Sequence, residues 1–237
     1  MTIKLNGSTA GSVSLDAPAS TTGNADINFK LPVADGTANQ VMKTDGSGQL
    51  SFGATGNTNG MQVLEEFFVP CNGTAVTTSQ GSVSIENVTT HQTASDTLTK
   101  VNGSEIDYQP PSGTKLVIYT MQIQCSYDSQ NTILGFNCQL DGTSVTAMPA
   151  SIRYMDYGMS LFYYQHGFRI ESSADSSVGQ VTSWNSPKTI RLRFRRWNSS
   201  YSGRIHFMGE GLRPADLVFD NNQFRMPSIG IRAIGAV

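Results

Sequence analysis

The sequence predicts an all-β protein, with an extended N-terminal anchor or stem of short strands ahead of a larger antiparallel sandwich. Composition gives the first reason. Charged residues are 14% and hydrophobic residues 38% of the 237, below the roughly 25% and 45–50% of ordinary globular chains. Solvent-facing helices are built from Ala, Leu, Glu, Lys and Arg, and this chain is short of that material. Ser, Thr, Asn, Gln and Gly fill the deficit and suit strands and turns. The second reason is period: apolar residues recur at every second position between turn signals, which places them on one face of a strand. A helical bundle and a doubly wound α/β enzyme are disfavoured from the outset.

Composition also divides the chain near residue 60. Residues 1–60 carry two aromatics, Phe29 and Phe52, against nineteen in the remaining 177. A segment so poor in large side chains cannot bury enough apolar area to offset its ordering entropy alone. It nevertheless holds short alternating pieces: Ile3-Lys4-Leu5, Val13-Ser14-Leu15, Ile27-Asn28-Phe29 and Leu50-Ser51-Phe52. Turn signals such as Asn6-Gly7, Asp35-Gly36 and Asp45-Gly46 separate them. A Gly/Ser-rich linker is one reading. The recurrent apolar residues favour the other, a stem whose very short strands become stable by pairing with something else.

Residues 61–237 read as a single β domain large enough for its own core. Phe67-Phe68-Val69 opens it and Val83-Ser84-Ile85 follows. Pro110-Pro111-Ser112-Gly113 blocks ladder pairing and marks the start of the clearest strand, Leu116–Cys125. In Ile133–Leu140 the residues Leu134, Phe136, Cys138 and Leu140 share a face, and Asp141-Gly142 signals a hairpin before Val145. Strands are then expected over Met159–Ile170, Ile190–Trp197, Arg204–Met208 and Ile229–Ile234. Nothing longer than a turn or two reads as helix.

Several function classes lose support on inspection. The net charge of −2 and a pI near 5.9 give no electrostatic case for nucleic acid. No apolar run approaches the roughly 18 residues of a membrane span, and the opening MTIKLNGSTAG lacks the hydrophobic block of a signal peptide. Cys71, Cys125 and Cys138 form no C-x-x-C pair, so buried free thiols are expected rather than a disulfide framework or zinc site. His91 reads as a solvated loop residue, while His166 and His206 fall in expected strands with no partner in sequence. The run Gly209-Glu210-Gly211-Leu212-Arg213-Pro214 begins like a dinucleotide loop but ends in Pro and precedes no helix. Acid pairs exist, Glu65-Glu66 and Asp216 with Asp220, yet nothing local sets either across a cleft. The expectation is a non-enzyme with no metal and no cofactor.

Two features stand out as candidate contact sites. Residues 185–237 hold nine of the sixteen Lys and Arg against three acids, a local net of +6, while the first 184 residues sum to −8. Within the basic part the strand Ile190–Trp197 alternates, with Ile190, Leu192 and Phe194 on one face and Arg191, Arg193 and Arg195 on the other. With Trp197 beside them, these arginines suit a polyanion, a solvated outer face, or contacts to carboxylates of another subunit. The opposite-sign halves favour subunit contacts over nucleic acid. The second feature is Tyr154–Tyr164, where Tyr154, Tyr157, Tyr163 and Tyr164 accompany two methionines and a phenylalanine. Such a cluster suits a contact between like subunits, a ligand platform, or an ordinary strand core.

The N-terminal sixty residues also carry a resemblance. Met1-Thr2-Ile3-Lys4-Leu5-Asn6-Gly7-Ser8-Thr9, with Gly11-Ser12-Val13-Ser14-Leu15-Asp16-Ala17-Pro18-Ala19 after it, resembles structural proteins of marine tailed phages, cyanophages especially. The stretch from Leu31-Pro32 through Asp35-Gly36, Gln40-Val41-Met42, Thr44-Asp45-Gly46 and Leu50-Ser51-Phe52 is similar to the "LP-x-x-D-G-x-x-G-Q-V-L-x-T-D-G-x-G-x-L-x-W" module of fibre and appendage proteins. Asn39 stands where that module has Gly, Met42 where it has Leu, and Phe52 where it has Trp. More loosely, Ile106–Ile118 is similar to the segment before a long strand in the C-terminal heads of such proteins. The resemblance implies a jelly roll of the C1q/tumour-necrosis-factor kind that trimerises about a three-fold axis. It implies a non-enzymatic virion protein: a tail fibre for host-surface attachment, or a capsid decoration or head fibre. Expected partners are two further copies, other virion proteins through residues 1–60 and a host-surface glycan, with no membrane insertion. A virion-borne carbohydrate-active enzyme and a lectin-like module are the rivals.

Overall fold

The computed structural model describes residues 2–6, 12–16, 18–21, 23, 25–38, 40–54, 60–126, 132–147, 152–155, 159–207 and 224–235, with 2–6, 12–16, 54 and 152–155 by backbone alone. They contain strands and no α-helix. Two compact units are present, Met1–Thr58 and Asn59–Val237. The first holds β1 (Thr2–Asn6), β2 (Ser12–Asp16), β3 (Gln40–Thr44) and β4 (Leu50–Ala54). The second opens with β5 (Gln62–Pro70), β6 (Ala75–Thr78), β7 (Gly81–Ser84), β8 (Gln92–Thr93), β9 (Thr99–Lys100) and β10 (Ile106–Tyr108). It continues through β11 (Thr114–Ser126), β12 (Thr132–Leu140), β13 (Thr143–Ser144), β14 (Ile152–Met155) and β15 (Met159–Arg169). It closes with β16 (Lys188–Arg196), β17 (Arg204–Ile205) and β18 (Ser228–Gly235).

In the N-terminal unit the four short strands pair with each other in twos. β1 and β2 form one antiparallel hairpin, and β3 and β4 a second, in register from Gln40↔Ala54 to Thr44↔Leu50. Ile27-Asn28-Phe29 is not a strand; just after it an isolated parallel bridge, Lys30↔Gln49, ties the chain to the residue before β4. The Phe52 ring lies over Gly36, where a side chain would collide with it. The Asn6-Gly7 turn lies in part outside the described residues.

The C-terminal unit is a jelly-roll-like sandwich of two antiparallel sheets. In the first sheet β11 is central: β15 runs along one side from Leu116↔Arg169 to Ser126↔Met159, and β18 then β17 lie along the other. β5 pairs outside β18, and β8 outside β17. The second sheet has the order β10-β16-β12-β13, with β9 also on β16 and β14 also on β12. Asp141 and Gly142, both at positive φ (48° and 79°), make the tight turn from Leu140 to its partner Thr143, as Asp-Gly predicts for a type I′ hairpin.

Alternation accounts for the core. Leu134, Phe136 and Cys138 of β12 and Ile190, Leu192 and Phe194 of β16 point inward, where they meet Val117, Tyr119, Met121 and Ile123 of β11 and Phe162, Tyr164 and Phe168 of β15. Phe136 of one sheet stacks on Phe162 of the other at 4.4 Å between ring centroids. Burying each such side chain is worth about 1.5–3 kcal/mol. The polar tips inside this core are partnered: Tyr119 Oη donates to Ser104 O at 2.8 Å, and Trp184 Nε1 donates to Tyr108 O at 2.8 Å. Cys71, Cys125 and Cys138 are buried free thiols, and burial pushes the Cys71 and Cys138 thiols up to about 12, so neither is a nucleophile at neutral pH.

One expected strand is much shorter than its sequence suggests. Arg204–Met208 yields a strand at Arg204–Ile205 alone: the backbone turns to φ 61° at His206, whose N–H makes a last bond to Gln124 O of β11 at 2.7 Å. Met208 lies outside the described residues.

Candidate functional site

The arginine strand β16 alternates as its sequence requires, with Ile190, Leu192 and Phe194 wholly buried. Its arginines, however, are largely engaged within the chain. Arg191 lies opposite Gln139 in the register, donates Nε to Gln139 Oε1 at 2.9 Å, and forms an ion pair with Glu105 at 3.3 Å. Arg193 lies opposite Asn137 and donates Nη2 to Asn137 Oδ1 and to Ser144 Oγ, each at 2.9 Å. Arg195 is exposed opposite Gly135, and Trp197 is exposed just past the strand, its backbone N–H donating to Ile133 O at 2.9 Å. Cross-strand amides and a hydroxyl from β12 and β13, with Glu105, therefore occupy donors of Arg191 and Arg193, leaving Arg195 as the exposed guanidinium of the three.

The tyrosine run divides across the sheet. Tyr164 points into the core, hydrogen-bonded to Cys138 and set edge-on to Tyr119, with its phenol pushed well above the usual range by burial. Tyr163, the next residue on β15, points outward. Tyr154 lies in β14 opposite Ile133; Tyr157 lies outside the described residues, as do Asp216, Asp220 and the run Gly209–Pro214.

Tyr163 borders a groove on the outer face of the first sheet, a cleft of about 330 Å³ that crosses four strands. Gln165 and Tyr163 come from β15, Ile118, Thr120 and Gln122 from β11, Arg232 from β18, and Glu66 and Phe68 from β5. The registers arrange them in rungs: Gln165↔Thr120↔Gly230↔Phe68, and beside it Gly167↔Ile118↔Arg232↔Glu66. Gly230 is required here. A Cβ at that position would lie 2.6 Å from both the Phe68 ring and Thr120 Oγ1, so the missing side chain is what lets Phe68 lie down over the sheet. Arg232 Nε donates to Glu66 Oε1 at 2.7 Å, which neutralises the charge at that end. No local motif betrays this constellation, since its members are spread from residue 66 to 232. The alternation of Phe67, Phe68 and Val69 does signal that one aromatic of the three faces out.

Several other titratable groups are held in contacts within the fold. Glu65 accepts from Tyr108 Oη at 2.7 Å and from Ser79 N–H at 2.6 Å, and Glu86 accepts from Lys100 Nζ at 3.0 Å and Gly103 N–H at 2.9 Å. His206 is buried against Asn102 O at 3.1 Å, and desolvation lowers its pKa to about 4, so it is neutral at physiological pH. His166 is held by Val178 O at 3.0 Å and its pKa is also lowered by burial. His91 packs edge-on against Phe207 rather than standing free in solvent. Among the described residues no group of three or more His, Cys, Asp or Glu is placed to hold a metal ion.

No family model and no curated protein matches the chain. Among solved structures it is similar to chains from "Structure of infectious bursal disease virus Gx strain" (9% identity, TM-score 0.31, covering 79% of this chain and 44% of that one). It is also similar to chains from the Gt strain structure of that virus (8%, TM-score 0.31, covering 98% and 50%), and to its VP2 subviral particle (10%, TM-score 0.25, covering 79% and 44%). The chain thus spans half or less of the length of these neighbours, and overlap at such scores assigns no role.

Proposed function

We propose that the protein is a non-enzymatic structural subunit of a tailed-phage virion: a homotrimeric fibre whose residues 1–60 form an anchoring stem and whose residues 61–237 form the head that meets the host surface. The observation that carries this reading is the apolar surface left uncovered in the N-terminal unit. Ile27, Phe29, Leu31 and Val33 occupy alternate positions of a segment outside the named strands and are 58%, 62%, 73% and 102% exposed. Val41, Met42 and Phe52 of the neighbouring hairpin are exposed as well. A row of this kind suits a surface that is covered in an assembled state, and from Leu31 onward it falls on the stretch that resembles the phage appendage module. Two further copies of the chain supply that cover by symmetry.

The non-enzymatic reading is supported by the engagement of the one acid pair singled out from sequence that lies among the described residues, Glu65-Glu66. Glu65 holds Tyr108 and Ser79, and Glu66 holds Arg232. Neither is free to act as a general acid or base without dismantling a structural contact.

The test is the mass of the full-length chain in solution beside that of a version beginning at Met61. The expected result is a trimer of about 77 kDa, three times 25.6 kDa, for the full chain. A monodisperse monomer for both would overturn the trimer. Gold-labelled antibody on purified particles then separates a tail fibre from a capsid decoration: label at the tail supports the first, and label over the shell replaces it with the second. Turnover of host polysaccharide by the purified chain, abolished by a single Asp or Glu substitution, would overturn the non-enzymatic reading.

A further inference from the structure

We infer that the groove between Tyr163 and Phe68 on the outer face of the first sheet binds a neutral oligosaccharide. Aromatic rings wall it at both ends, Tyr163 being 55% and Phe68 51% exposed, whereas Phe136, Phe162, Phe168, Phe194, Tyr119 and Trp184 of the same unit are buried. Tyr163 and Phe68 stand three strand spacings apart, roughly 14 Å at about 4.8 Å per strand. The C–H faces of sugar rings stack on exposed aromatic faces, which present apolar area at low entropic cost. The floor between the rings supplies the hydrogen bonding. Thr120 Oγ1 and the amides of Gln122 and Gln165 make no hydrogen bond to other described residues. Each amide offers a donor and an acceptor side by side, which matches the paired hydroxyls of a saccharide. The volume of about 330 Å³ lies at the small end of ligand clefts, roughly 300–1,000 Å³.

Charge selects the class of glycan. The one guanidinium in the groove, Arg232, is already paired with Glu66. An acidic sugar would have to break that pair, while a neutral one accepts hydrogen bonds from its free edge. The site is also stiff, since its floor belongs to β11, paired on both sides over most of its length and backed by the buried residues Tyr119, Met121 and Ile123. Little ordering is therefore needed on binding. This inference rests on the attachment reading for its biological setting, but the binding itself is a property of the purified chain.

The experiment is a printed array of neutral and acidic di- to tetrasaccharides, read with the labelled full-length chain at low and high salt. Tyr163→Ala, Phe68→Ala and the fold-safe Gln122→Ala with Gln165→Ala are read in parallel, with Lys115→Ala as control. Expected are signals on neutral glycans that persist at high salt, fall about tenfold or more in each groove variant, and are unchanged in the control. Absence of neutral-glycan signal, a preference for acidic glycans lost at high salt, or groove variants that bind like the wild type would each overturn it. Light scattering on the same variants gives the remaining outcome: dissociation of the oligomer by Tyr163→Ala or Gln122→Ala would assign this face to a subunit contact instead. Adhesion of the chain to host cells with a silent array would sink this site and leave the attachment reading standing. Array binding by a chain absent from particles would do the reverse.

Discussion

Phe29 and Phe136 are the same side chain in two settings. Phe29, in the N-terminal unit, is 62% exposed beside an isolated bridge, Lys30↔Gln49. Phe136, in the C-terminal unit, is wholly buried between Phe162 of the facing sheet and Phe194 of its own. The difference comes from the number of layers. A two-stranded hairpin has one partner strand and no facing sheet, so its apolar residues find nothing to cover them and it is marginal alone. Two sheets of four or more strands enclose a dry space between them. The C-terminal unit therefore covers its own large apolar residues, while the N-terminal unit leaves Ile27, Phe29, Leu31 and Val33 exposed.

The largest expected effect tests that contrast directly. Phe136→Ala should cost about 3–5 kcal/mol in urea unfolding, as large-to-small changes in packed aromatic cores do. Phe29→Ala should change the same transition by less than about 0.5 kcal/mol, and instead promote dissociation of the proposed trimer on dilution. Equal destabilisation by both would mean that Phe29 is covered within the chain, and the contrast would fail.

Acid sharpens it next. The buried His206 has a folded pKa of about 4, against about 6.5 unfolded. Between those values the unfolded chain binds the extra proton, so stability is intact above pH 6.5 and declines as pH falls toward 4. The loss from this residue should approach roughly 3 kcal/mol. His206→Asn tolerates the positive φ of that position and should flatten the decline, which unfolding curves at several pH values will show. His166 acts in the same direction, so part of the slope remains. A slope unchanged by the substitution would mean that His206 is not the acid-sensitive group.

Smaller effects probe the outer surface of the C-terminal unit. Gly230→Ala would press a methyl against the Phe68 ring, Thr120 and Phe67 O, at an expected cost of about 1–3 kcal/mol. Adding Phe68→Ala should recover part of that cost, since the ring is one of the colliding groups. The half-exposed Arg191–Glu105 pair should be worth less than about 1 kcal/mol in a double-mutant cycle. A coupling well above that would show that the arginine face holds the second sheet together.

Much of this fold was legible because strand periodicity is local. Alternation alone places Ile190, Leu192 and Phe194 inward and Arg191, Arg193 and Arg195 away from the core, and Asp141-Gly142 announces its hairpin. Local pattern fails where the backbone departs from the ladder. His206 sits in an apparently regular strand, yet it turns to positive φ and buries its ring beside Asn102, a partner more than a hundred positions away. Tyr163 and Tyr164 look like one cluster in sequence, but the pleat sends them to opposite sides of the sheet.

The sequence by itself determined that the chain is all-β, which face of each long strand is apolar, and that residues 1–60 are too poor in large side chains to build a core. Those properties depend on neighbours one or two positions apart. Which strands lie side by side was decided by the tertiary structure, because sheet order follows from how two whole faces close over a shared interior. That ordering brings Glu66, Thr120, Tyr163 and Arg232 into one groove and sets Asn137 and Gln139 against the arginines of β16. No spacing along the chain encodes either assembly, since each joins strands separated by tens of residues that meet only when the sandwich closes.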